Sequence, residues 1–284
     1  MKKILLVSAL FLVLVLPACG RWPLATPTVT PPIFASSSTL PPITQTAPVT
    51  APLQTETPVI TTATPAAPAS AALFTEMIEA YSDSPAYTIL LESVVMEGDP
   101  SYADPFNSLV LTLFEKEQTA FIEGLAEIEA WRLANMPDIR STLDSAYQVT
   151  YNDHSLVSVR FEFYSYTAGA AHPISYSKTL TYDLSQRSKV QLAELFTLGT
   201  DWLGALSSYC LKDLQQRGVL EFPEGAEPVM KNYTGWSLTP EGMVVYFDPY
   251  QVASYAAGPQ QVMVPYAALS EFIDPRGVLS YLLP

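Results

Sequence analysis

Two cysteines, two histidines and half as many basic as acidic residues set the first limits on what this 284-residue chain can be. With only Cys19 and Cys210 there is no disulfide framework, so the fold must rest on an ordinary hydrophobic core. His154 and His172 are too few for a zinc site, which needs three or four converging ligands, and no cofactor-binding motif accompanies them. Fourteen Lys and Arg stand against 28 Asp and Glu, a net charge of −14 that argues against nucleic acid and against adsorption to anionic lipid. The one long apolar run, Ile4 to Leu16, has 13 residues. A spanning helix needs about 20.

That run reads instead as an export signal. Lys2 and Lys3 precede it, and Leu16-Pro17-Ala18-Cys19-Gly20 follows with the order of a bacterial lipobox: an aliphatic residue, a small residue, then the thiol. The alternative is a plain signal peptide cut near Ala18. Residues 1–19 are therefore expected to be a lipoprotein signal ending at an acylated Cys19, whose chains hold the protein to the membrane from outside the cytoplasm. Residues 20–72 carry 11 prolines, 12 threonines and only two charges, Arg21 and Glu56. Such a composition cannot bury enough apolar surface to offset chain entropy, so an extended stalk is expected.

From residue 73 onward there are 11 basic and 27 acidic residues, a net charge of −16 suited to solubility or to a basic partner. Tyr87 to Met96 reads as a strand. Asp104-Pro105 then gives a helix start, and Phe106, Leu109, Val110, Leu113, Phe114, Phe121, Ile122, Leu125 and Ile128 mark one apolar face up to Pro137. Glu115, Glu117, Glu123 and Glu127 are expected on its solvent side. Alternating apolar residues at 143–151, 157–163 and 174–182 form an antiparallel meander, with a turn at Asn152-Asp153. A second helix is expected from about Asp201 to Arg217, capped by Thr200 and stopped by Gly218, with Cys210 as a small hydrophobe on its buried face. Strands at 243–247 and around Val262–Val264 follow, then a short helix near Leu269 to Ile273. The expected fold is α+β: an antiparallel sheet packed with one long helix over 73–184, then a second small α+β unit over 185–284.

The run Trp236 to Tyr250 (WSLTPEGMVVYFDPY), then Tyr255 to Pro259, Val262 to Tyr266 and Leu269, resembles the C-terminal domain of RsiV-like proteins. Gly169 to Pro173 and the Leu192, Leu195, Phe196 group fall in the same order, and the resemblance extends over roughly 85–275. That family comprises lysozyme-responsive anti-sigma factors and the accessory region of certain peptidoglycan deacetylases. The resemblance implies an extracytoplasmic module that binds lysozyme or cell-wall material and is not itself an enzyme. Only Met1-Lys2-Lys3 precedes the apolar run and no metal-binding catalytic domain follows, so neither sigma-factor binding nor deacetylation is expected of this chain.

The residues singled out for binding are His172, Tyr250, Tyr255 and Gly258. His172 stands in a loop of small residues beside Pro173. As a catalytic base, for instance in a cell-wall hydrolase, it would need a nucleophile and an orienting acid, and no known motif supplies them. Asp248 to Pro259 forms a sharp excursion between two strands, with Gly258 as the permissive position and two tyrosines as flat contact surfaces. Tyr164, Tyr166, Tyr176 and Tyr182 are either an aromatic patch on one sheet face or core. An envelope assembly lipoprotein without a small ligand is the third reading.

Overall fold

The computed structural model describes residues 70–280. The signal, Cys19 and all but the end of the stalk lie outside the described residues.

The chain enters as a strand that the sequence reading missed. β1 (Ala72–Asp83) pairs antiparallel with β2 (Ala86–Glu97) as the outer strand of a six-stranded sheet. Phe74, Met77 and Tyr81 of β1 are exposed, so no buried alternation marked it. Helix α1 (Pro100–Asn135) follows, 36 residues long. At 1.5 Å per residue it runs about 54 Å. Its cap is Asp99, not Asp104: the Asp99 carboxylate accepts the Ser101 amide at 2.8 Å, and Pro100 holds the first helical position. The same Asp-Pro signature recurs five residues later, but Pro105 lies inside the helix, where its missing N–H costs one bond near the start. At the other end, buried Arg132 clamps the exit by donating to the Pro137 and Ile139 carbonyls while pairing with Glu129 at 2.8 Å.

So long a helix carries the chain back to its starting end, and β3 (Ser141–Asn152) therefore joins β2 in parallel. β4 (Leu156–Tyr166) and β5 (Ile174–Asp183) continue as the expected antiparallel meander, and the short β6 (Ser188–Lys189), not foreseen from the sequence, adds to it. The β3–β4 turn is fixed by Asp153, whose carboxylate accepts the Ser155 and Leu156 amides at 2.8 Å. One face of this sheet packs on α1 through Ile89, Leu143, Phe161, Phe163 and Leu180 against Phe106, Val110 and Phe114. Glu117 departs from the expected solvent face, which Glu115, Glu123 and Glu127 do occupy. It is buried, paired with Lys178 of β5 at 3.1 Å, and it helps burial push the Tyr176 phenol upward. The four tyrosines divide. Tyr176 and Tyr182 face α1, the former stacked on Phe163 at 5.4 Å, while Tyr164 and Tyr166 point to the other face.

That other face receives the C-terminal layer. A 3-10 turn (Leu192–Leu195) leads to α2 (Trp202–Gln216). Asp201 caps α2 by accepting the Gly204 amide; Thr200, the expected cap, instead donates its hydroxyl to Thr197. β7 (Trp236–Leu238), β8 (Gly242–Phe247) and β9 (Gln260–Pro265) form an antiparallel three-stranded sheet. The last helix, α3, spans Tyr266–Leu269 rather than 269–273; Ile273 makes a bridge to Phe196 instead. β7 seats on the large sheet through its hydroxyls: Leu238 N–H donates to Ser158 Oγ at 3.0 Å and Trp236 N–H to Thr179 at 3.2 Å. Edge amides that would be orphaned by packing are thereby satisfied. A second core, from Leu192, Phe196, Leu206 and Leu214 to Val245, Phe247 and Val264, lies within this layer. Cys210 is fully buried in it, and burial pushes its thiol up to about 12. No helix among the described residues is long and apolar enough to cross a membrane.

Candidate functional site

Two loops meet at one end of these layers, and they bring three of the four singled-out residues into contact. The first, 167–173, joins β4 to β5. The second, 248–259, joins β8 to β9. His172 lies on Tyr255 with ring centroids 3.7 Å apart and planes 23° from parallel. The Tyr255 hydroxyl donates to the Pro173 carbonyl at 2.9 Å. His172 Nδ1 is 3.0 Å from the same carbonyl, and its Nε2 is 3.4 Å from the Tyr250 hydroxyl. With Nδ1 protonated, the ring donates to Pro173 and accepts from Tyr250, so both nitrogens have partners. Tyr250 and Tyr255 are 5.8 Å apart and nearly parallel. The result is a surface cluster, or platform, of three flat rings, in which Tyr250 is exposed at 56 % and His172 and Tyr255 are half-buried.

The platform stands on a rigid base. Tyr250 adopts φ +69°, a conformation few non-glycine residues take. It is held there by its neighbours: its amide donates to Ala253, and Val252 and Ala253 are buried beneath it. Gln251 reaches inward and donates to the Gly225 and Asn232 carbonyls, each at 2.9 Å. Held strain of this kind, of order 1–3 kcal/mol, clusters at functional positions. Gly258 makes no ring contact. It closes the 3-10 turn Tyr255–Ala257 with φ +70° and ψ −176°, a region open only to glycine, and so sets the loop's path.

Asp248 ties the second loop to the sheet by accepting the Ser177 amide at 2.8 Å. Burial, its largest influence, raises its pKa above the usual carboxylate range, against the opposing effects of the Ser177 bond, Lys178 and Arg160. An acid raised in the folded state carries its penalty when ionised, and sheds it as pH falls through the folded value toward the unfolded one. Asp248→Asn keeps the Ser177 bond and removes the charge. It is expected to raise the thermal midpoint at pH 7, with the gain vanishing as pH falls toward 4; equal midpoints at both pH values would refute this.

Sequence reasoning missed Trp131. Its indole, 49 % exposed on α1, covers Gly169 so closely that an added Cβ would lie 2.6 Å from the ring. Gly169, at φ +93°, is thus required both for its angle and for its lack of a side chain. Ala168 N–H donates to Ser141 Oγ and fixes the other side of the loop. His154 lies in the β3–β4 turn near Asp153, at the other end of β4 from His172. Among the described residues no group of three or more His, Cys, Asp or Glu could hold a metal ion.

Comparison with known proteins agrees with the resemblance read from the motifs. Residues 193–267 match the family described as protein of unknown function (DUF3298). The chain is 25% identical over 213 residues to the peptidoglycan-N-acetylmuramic acid deacetylase PdaC of Bacillus subtilis, covering 70% of this chain and 44% of that protein. It is 28% identical over 110 residues to the immunogenic protein MPT64 of Mycobacterium tuberculosis, covering 37% of this chain and 47% of that one. The chain thus spans less than half the length of these curated relatives. A crystal structure of a DUF3298 family member from Bacteroides fragilis superimposes with a TM-score of 0.57 at 15% identity. It covers 76% of this chain and 99% of that one, a likeness of fold.

Proposed function

With residues 193–267 a DUF3298, RsiV-like module, we propose that the protein is an extracytoplasmic, lipid-anchored binding module for peptidoglycan. The observation that carries this reading is the His172–Tyr255–Tyr250 platform. Flat rings with polar rims suit the alternating apolar faces and hydroxyl edges of a sugar polymer. The relative in Bacillus subtilis, a peptidoglycan deacetylase by name, supports the same substrate class. Cys19 supplies the anchor, 20–72 the stalk, and 73–184 and 185–284 the two folded domains.

The module is read as non-catalytic because His172 Nδ1 is turned to the Pro173 carbonyl rather than to a carboxylate. A general-base imidazole is oriented by an acid on one nitrogen and takes its nucleophile's proton on the other. A second reading, a basic protein such as lysozyme as the ligand, draws on the net charge of −16 over 73–284.

Co-sedimentation of the purified protein with insoluble peptidoglycan tests the first reading. The wild type should pellet with the polymer, and Tyr255→Ala should weaken retention about tenfold, near 1.4 kcal/mol, as for a central aromatic contact. A wild type left in the supernatant would discard it. If the protein then forms a salt-sensitive complex with lysozyme, the second reading takes its place.

A further inference from the structure

Beside the platform, on the same face of β5, lies a polar cleft of about 320 Å³. Arg160, Glu162 and Ser177 line it from the large sheet, and Arg217, Tyr246 and Gln260 from the C-terminal layer. The Gly258–Pro259 turn separates it from Tyr255. Ser177 is four residues along β5 from Pro173, about 13 Å at 3.3 Å per residue. We infer that this cleft is a second binding site, which takes the acetamido group of an N-acetylated sugar next to the one on the platform. The inference rests on the peptidoglycan reading and adds to it which group of the polymer is recognised.

Arg160 is set in place before any ligand arrives. Its Nε and Nη2 donate to Ser177 Oγ at 3.2 and 3.1 Å, Nη2 lies 3.3 Å from Glu162, and the guanidinium sits 4.6 Å from the centre of the Tyr246 ring. Nη1 donates no hydrogen bond among the described residues, so one donor edge remains available. Glu162 approaches the Arg160 guanidinium and the Tyr164 hydroxyl, which leaves part of its four-site acceptor capacity open. A fixed donor therefore stands beside a fixed acceptor.

The charges of the cleft cancel. Arg160 and Arg217 are matched by Glu162 and by Asp213, which holds Arg217 at 2.8 Å. On the opposite face of β5, Lys178 is matched by Glu117 of α1, and Asp248 accepts the Ser177 amide beside the cleft. A free anion gains nothing from such a setting, because the nearest carboxylate offsets the nearest guanidinium. A neutral group that both accepts and donates fits it. A secondary amide has this character: its carbonyl oxygen accepts from Arg160 Nη1 and its N–H donates to Glu162. A deacetylated amino sugar keeps a donor for Glu162 but loses the carbonyl, so Arg160 Nη1 is left without an acceptor and with an added positive charge nearby. Discrimination is large when a buried polar partner is left unmatched.

Calorimetric titration of the protein with the tetramer of N-acetylglucosamine and with its fully deacetylated counterpart, at moderate salt, tests this. The acetylated tetramer should bind at least about tenfold more tightly, the value of one lost hydrogen bond to a charged group. Arg160→Gln should bring that ratio close to one, whereas Tyr255→Ala should weaken acetylated binding and leave a preference. Equal binding of both tetramers by the wild type overturns the acetamido inference and leaves the platform intact. Binding of neither overturns the platform reading and this inference together.

Discussion

Phe114→Ala is expected to lower the unfolding free energy by about 3–5 kcal/mol, the cost of emptying a well-packed aromatic site. Phe114 is fully buried at the middle of α1, edge-on to Phe161 at 5.2 Å and tilted against Phe163 at 5.3 Å. Phe163 in turn stacks on Tyr176, so the ring is the central contact between helix and sheet. Helices in folded proteins take most of their stability from the packed face rather than from propensity. With total stability of a typical domain at about 5–15 kcal/mol, the loss would take a large share of it. Urea denaturation followed by circular dichroism should show the midpoint falling with an unchanged slope. Leu111→Ala, one turn earlier but exposed, should change stability by no more than about 0.5 kcal/mol. Equal effects of the two substitutions would contradict the packing described.

The apolar stripe of α1 and the alternation of β3 to β5 were legible because burial there is one-sided, and one-sided burial writes a period into the sequence. Where burial is absent or two-sided, the period disappears. β1 is an outer strand with mixed exposure, so the change of composition after residue 72 marked where the stalk ends but no alternation marked the strand. The cap of α1 was misplaced because Asp99-Pro100 and Asp104-Pro105 carry the same local signal. The geometry separates them: the Asp99 carboxylate takes the Ser101 amide at 2.8 Å, so the helix is already under way at Asp104. Glu117 and Lys178 find each other from a helix and a strand 61 positions apart, so their pairing has no local mark. The platform was legible in part. Gly169 to Pro173 and Tyr250 to Gly258 stood out as loops, yet their meeting is a property of the two layers. Trp131, Arg160 and Glu162 were invisible as site residues, since each lies inside a regular element and reaches the site only through tertiary packing.

Gly225→Ala tests how far the platform depends on that packing. Gly225 sits in the 3-10 turn Pro223–Ala226, and a Cβ there would lie 1.8 Å from the Gln251 carbonyl oxygen, well inside van der Waals contact. Backbone on both sides has little room to yield. The Gly225 carbonyl holds Gln251 Nε2, and the next carbonyl, Ala226, accepts from Ser207 and Tyr233 at 2.7 and 2.6 Å. The substitution should therefore cost about 3 kcal/mol or more, the upper end for overpacking. Gln251 adjoins Tyr250, so pushing it outward also moves the ring that faces His172. Retention on peptidoglycan is expected to fall even in protein that remains folded, read by comparing pelleted protein with circular dichroism on the same sample. Gly124→Ala gives the contrast. It lies in the exposed middle of α1 with nothing within 4 Å of a new methyl, and it should raise stability by about 0.5–1 kcal/mol through helix propensity alone. If Gly225→Ala instead behaves like Gly124→Ala, the loop beneath Tyr250 is not held by the turn, and the platform's rigidity must come from Asp248 and the sheet.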